Sequence, residues 1–216
     1  KPFNTSNLNT HATAMDQVIR SMFSLHFGNY GGDLTRWLYL VLGMGGAFLF
    51  YSGNILWIES RIKRQKNPNL PVPNQRKDVR FIASLTIGAC LGCILAITAS
   101  MLIGRWAYVI NAELVSLNHW FMYSYYAVFL SCLIYSFIKG AGKALPQLLI
   151  SIAILLCLLP LTSFIALLLP NMGLWSSHSS LWWIDIVAVV MAILFLRFYI
   201  QAKHRQKNIE AGSIWA

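Results

Sequence analysis

Five long apolar runs dominate the pattern of hydrophobic and polar positions along this 216-residue chain. They are Trp37–Ile58, Phe81–Ile103, His119–Ile138, Gln147–Leu169 and Leu181–Ile200. Each holds about 20 residues or more, and at about 1.5 Å per residue such a helix crosses a hydrocarbon core roughly 30 Å thick. The pattern predicts an all-α fold, a polytopic membrane helix bundle with five transmembrane helices at 37–58, 81–103, 119–138, 147–169 and 181–200. The chain divides into residues 1–35, a linker followed by an interfacial helix, and residues 36–216, the transmembrane domain. Within the first part, residues 1–13 are rich in Asn and Thr and read as linker. Ala14 to Phe27 is amphipathic, with Met15, Val18, Ile19, Met22, Phe23 and His26 near helical spacing. It is too short to span and is expected to lie along the outer interface. Gly28-Asn29-Tyr30-Gly31-Gly32 reads as a turn into the first run.

The basic residues set an orientation. Thirteen of the 17 Lys and Arg fall in alternate gaps between the runs. Arg61, Lys63, Arg64, Lys66, Arg76, Lys77 and Arg80 follow the first run. Lys139 and Lys143 follow the third, and Arg197, Lys203, Arg205 and Lys207 close the last. The positive-inside rule then places the N-terminal segment outside and the C-terminal tail in the cytoplasm. The same asymmetry accounts for the net charge of +10 without nucleic acid, and anionic lipid headgroups are its natural counter-charge. Trp37, Trp57, Trp106, Trp120, Trp175, Trp182 and Trp183 lie near run ends, as an interfacial aromatic belt requires. The chain opens on Lys1 with an exposed N-terminal segment and no export signal, so a fragment or processed product of a longer protein is expected.

Chemistry-bearing residues are few. Cys90, Cys93, Cys132 and Cys157 all lie inside apolar runs, which argues against a disulfide framework. Cys90-x-x-Cys93 is followed by Ile94 and lacks a c-type haem attachment pattern. Pro160 is expected to kink the fourth helix. Gly43, Gly45, Gly46 and Gly53 in the first run suit either close helix packing or the approach of a flat cofactor. His26, His119 and His178 share the outer side, while His204 is cytoplasmic. Haem b in a membrane needs neutral imidazoles between helices beside an apolar slot. His26 and His119 meet that demand best as haem-iron ligands, and an ordinary interfacial role is the alternative. Met122, Tyr123 and Tyr126 share a helical face with His119, as a pocket wall or as an aromatic packing stripe. Asp185 is the one acid of the last run. It can pair with Arg105, orient an imidazole, or sit at the headgroup boundary.

The stretch Leu25 to Gln65 resembles the signature of the PepSY-associated transmembrane family, also called iron-regulated membrane proteins. The residues that carry the resemblance are Leu25-His26-Phe27-Gly28, then Gly31-Gly32 and Arg36, then Ser52-Gly53-Asn54-Ile55-Leu56-Trp57 and the basic cluster from Arg61 to Lys66. The resemblance covers about 40 residues, a length matched to one membrane span and its flanks. It implies a multi-pass protein of the bacterial inner (cytoplasmic) membrane with periplasmic PepSY modules. It also implies kinship with haem-containing reductases that release iron from ferric siderophores. Only His26 maps firmly onto the signature, and His119 follows from its depth.

Three function classes are open at this point. One is a haem-containing electron-transfer protein of iron uptake, taking electrons from a quinone or another donor and reducing a ferric siderophore or related chelate. Another is a non-catalytic anchor or regulator for periplasmic PepSY modules. The last is a small-molecule permease, disfavoured because the runs lack paired charges and broken-helix symmetry.

Overall fold

The structure is a computed structural model that describes residues 14–28, 30–63, 73–110, 114–169, 182–208 and 212–215. The expected linker 1–13 with His11 lies outside the described residues. So do Asn29 of the glycine-rich turn, the loop portion 64–72 with Arg64, Lys66, Pro68 and Pro71, and the segment 170–181 with Trp175 and His178. The described chain forms α1 (Ala14–Phe27), α2 (Gly32–Glu59), α3 (Lys77–Ile110), α4 (Leu114–Lys139), α5 (Ala141–Leu168) and α6 (Trp182–Gln206). Helices α2 to α6 are long and apolar enough to cross a membrane, and no strand occurs among the described residues. The protein is an all-helical, multi-pass membrane protein. Several helices continue past their apolar run. Helix α3 starts at Lys77 and α6 carries on to Gln206, because polar side chains at a helix end leave the backbone ladder intact.

The chain separates into two compact units, residues 1–52 and 53–216. In the first, a glycine turn joins α1 to α2. Gly28 and Gly32 adopt φ of 63° and 64°, in the left-handed region that favours glycine. Gly28 ends α1, and its N–H donates to the Leu25 carbonyl at 3.3 Å. It is buried where a Cβ would stand 3.6 Å from both the Arg36 stem and the Tyr39 ring. Tyr30 and Tyr39 share a hydroxyl–hydroxyl hydrogen bond of 2.8 Å. The turn is thus fixed by one backbone conformation and one side-chain bond. Helix α1 buries none of its residues.

The second unit is built around α3, which packs against α4 and α5, while α5 also packs against α6. Small residues permit the closest approach. A Cβ on Gly88 would fall 2.9 Å from Ser136 Cβ, and one on Gly92 would fall 2.9 Å from Cys132 Cβ. Ser136, fully buried, donates to the Ser84 carbonyl at 2.7 Å across the same contact. Helix α5 contains Pro146 and Pro160 and remains one helix through both. Pro146 has no N–H for the Gly142 carbonyl one turn earlier. Gln206 at the end of α6 supplies the missing donor, its Nε2 reaching Gly142 O at 2.5 Å.

That bond belongs to a polar seal at one end of the second unit. Gln75, 4% exposed, donates to the carbonyls of Lys63 and Gly212 at 2.8 and 2.9 Å. Its Oε1 accepts the Lys63 N–H at 3.0 Å. The Trp215 indole donates to Glu59 at 2.7 Å, and the Trp215 backbone lies where a Cβ on Gly142 would go. The cations of alternate gaps collect at these same helix ends. Arg61 lies over the Trp57 ring at 4.0 Å, and Lys203 stands 5.7 Å from the Tyr199 ring.

Candidate functional site

The described histidines, His26, His119 and His204, each sit near a helix end. His26 occupies the last turn of α1, two residues before the left-handed Gly28. Its ring meets Phe27 edge-on at 5.1 Å and is otherwise exposed. His119 lies in the second turn of α4, also exposed, with its ring stacked on Tyr123 at 5.9 Å. Met122, Tyr123 and Tyr126 continue that exposed face. His26 belongs to the first unit and His119 to the second.

Each of these two residues offers one exposed imidazole beside an aromatic ring of its own helix. Within the second unit, His119 has no described histidine at its own level. The remaining one, His204, is in the last turn of α6, whose end is tied by Gln206 to Gly142 at the opposite end of α4. Among the described residues, no group of three His, Cys, Asp or Glu side chains converges on a metal-sized site.

The densest polar cluster inside the second unit is one the sequence only half announces. Arg105 of α3 directs Nη1 at α5, donating to Leu159 O at 3.1 Å, Thr162 Oγ1 at 3.0 Å and Ser163 Oγ at 2.9 Å. Ser163 donates to Asp185 Oδ1 of α6 at 3.0 Å. Arg105 Nη2 stands 4.0 Å from the same carboxylate oxygen, with the side chains 10% and 21% exposed. Of the roles open to Asp185, the pairing with Arg105 is the one observed. A guanidinium and a carboxylate survive in an apolar bundle only when each is compensated, and here three helices share that task. Thr162 and Ser163 went unremarked in the sequence because lone hydroxyls in an apolar run look like filler that bonds back to its own helix. Both do bond to Leu159 O, at 2.7 and 3.4 Å, as well as taking Arg105.

The four cysteines are free thiols. Cys93 Sγ lies 3.5 Å from the Tyr125 hydroxyl, a contact between α3 and α4 that gives Cys90-x-x-Cys93 a packing role.

No curated protein and no solved structure matches this chain. Residues 4–60 match the family model described as the PepSY-associated TM region. The matched segment takes in α1, the Gly28 turn and α2, and agrees with the resemblance carried by Leu25–Gln65. The chain is thus a multi-pass membrane protein whose N-terminal part is similar to the PepSY-associated TM region.

Proposed function

We propose that this chain is the membrane part of a haem b electron-transfer protein in the bacterial inner membrane that reduces ferric siderophores or related ferric chelates. The observation that carries the reading is the family match over residues 4–60, which includes His26 in the last turn of α1, two residues before the left-handed Gly28. His26 in the first unit and His119 in the second would each offer one ring nitrogen to a haem iron while the other N–H binds a partner. Bound haem b supplies one-electron exchange at its iron. The protein's share is to orient the imidazoles and to enclose the site in apolar surface. Phe27 and Tyr123 restrict the rings of His26 and His119. The histidine ends face the periplasm in this reading and the basic seal faces the cytoplasm. The electron donor is a quinone or a cytoplasmic reductant.

The exposure of both imidazoles favours a second reading, in which these residues are interfacial and the chain anchors or regulates periplasmic PepSY modules. Reduced-minus-oxidised spectra of the purified full-length protein decide between the two. The electron-transfer reading expects a b-type spectrum in the parent, diminished in both His26→Ala and His119→Ala. Unchanged spectra in both variants remove these residues from the site. A parent without any haem spectrum leaves the anchor reading.

A further inference from the structure

The Arg105–Asp185 cluster is more than a compensated ion pair, because its two charged groups do not touch. Nη1 of Arg105 is occupied by three oxygens. Nη2 and Asp185 Oδ1 stand 4.0 Å apart, too far for a direct hydrogen bond. An oxygen atom fits between them at about 2.8 Å from each. Among the described residues no buried side-chain nitrogen or oxygen lacks a hydrogen-bond partner. Nη2, which makes no hydrogen bond among the described residues, therefore keeps some accessible surface.

The gap has a defined recognition chemistry. Arg105 offers only donors and Asp185, when ionised, only acceptors. The group that answers both with one atom is a hydroxyl, its oxygen accepting from Nη2 and its O–H donating to the carboxylate. Ser163 holds the carboxylate in place from behind. The exposed α6 residues next to Asp185 are apolar and aromatic. Trp182 and Trp183, one turn before Asp185 or less, are 64% and 70% exposed, and Ile186 follows at 50%. Such a surface admits ligands from the bilayer and favours a flat ring over an aliphatic chain.

We propose that the gap between Arg105 and Asp185 binds a hydroxyl of a lipid-soluble hydroquinone head group. Its purpose rests on the electron-transfer reading above, for which it names the class of donor. Its geometry does not depend on that reading. The proposal concerns binding, and the carboxylate accepts a hydrogen bond in it.

The test is equilibrium binding of a radiolabelled short-chain hydroquinone to the purified full-length protein in lipid nanodiscs under anaerobic conditions. Saturable binding at one site per chain is expected. Asp185→Asn keeps the shape and removes the charge, and should weaken binding about tenfold or more, the scale of one charge-assisted hydrogen bond. Ser163→Ala removes the hydroxyl that accepts from Arg105 and steadies Asp185, and should weaken binding a few-fold. The same hydroquinone with both hydroxyls methylated should not compete. Absence of saturable binding by the parent overturns the proposal. So does an unchanged affinity in an Asp185→Asn protein that unfolds at the parent's temperature. If Asp185→Asn does not fold, Ser163→Ala and the methylated competitor decide. Full competition by the methylated compound means the gap holds water alone, and the proposal fails. Haem spectra of the same samples keep the two readings apart: a haem-bearing protein that binds no hydroquinone loses this site, and a haem-free protein that binds it with the expected Asp185 dependence keeps it.

Discussion

The two compact units are held together by different means. The first relies on a turn: two left-handed glycines, one tyrosine pair, and an α1 that buries nothing. The second relies on packing and on polar bonds between helices distant in sequence, from Gly88 and Gly92 against α4 to Arg105 against α5. The family match falls almost wholly on the region with the fewest internal contacts of this kind. A signature that survives where packing is sparse is one set by chain geometry and side-chain chemistry. Positions in the second unit answer to volume, and many sequences can satisfy volume.

Matched glycine substitutions are the hardest test of that contrast. Gly92→Leu forces a side chain into the space of Cys132 and should destabilise the second unit by roughly 3 kcal/mol, the upper range for overpacking. Reversible unfolding in mixed micelles measures it, and a loss below about 1 kcal/mol, the lower end of that range, would mean α3 and α4 separate easily. Next in size is Gln206→Leu. It strips the donor from a carbonyl that Pro146 has already deprived, at a cost of about 1–2 kcal/mol for an unsatisfied buried acceptor. Combining it with Pro146→Ala should recover part of that loss, since the alanine N–H restores the helix bond. Equal losses in the single and double variants would show that Gln206 acts by packing. The smallest effect is expected of Gly45→Leu. Within the first unit a Cβ there meets no atom within 4 Å, and stability should change by about 0.5 kcal/mol or less. A large loss would show that the α2 glycines face a helix or a ligand after all.

The positions of the helices were legible in the sequence because lipid leaves a chain few choices: a backbone crossing hydrocarbon must satisfy its own hydrogen bonds. What went unread is relational. The glycines of the first run drew notice by their number, yet the close contacts of the second unit fall on Gly88 and Gly92, whose four-residue spacing lay inside a run that looked uniformly apolar. Gly142, Pro146 and Gln206 are unremarkable alone and meaningful only once a fold brings α6 back to the start of α5. Asp185 stood out because an acid in an apolar run is costly. Arg105 followed as its natural partner, but the hydroxyls of Thr162 and Ser163 carry no signal until their depth is known. Of the site residues, His26 was marked by its motif, while His119 was marked only by its depth and by the aromatic face that the structure places beside it.

The Gln75 amide also has a consequence in time. It joins the carbonyl of Lys63 to that of Gly212, a residue 137 positions later in the chain. Translation at roughly 5–20 residues per second separates Gln75 from Gly212 by about 7 to 27 seconds. Throughout that interval the Gln75 amide lacks its second acceptor. The neighbouring α3–α4 hairpin can pack as soon as it leaves the ribosome. The end that carries the basic residues is accordingly the last part of the second unit to close, and a ribosome that stalls before Gly212 leaves a helical bundle already packed but unsealed.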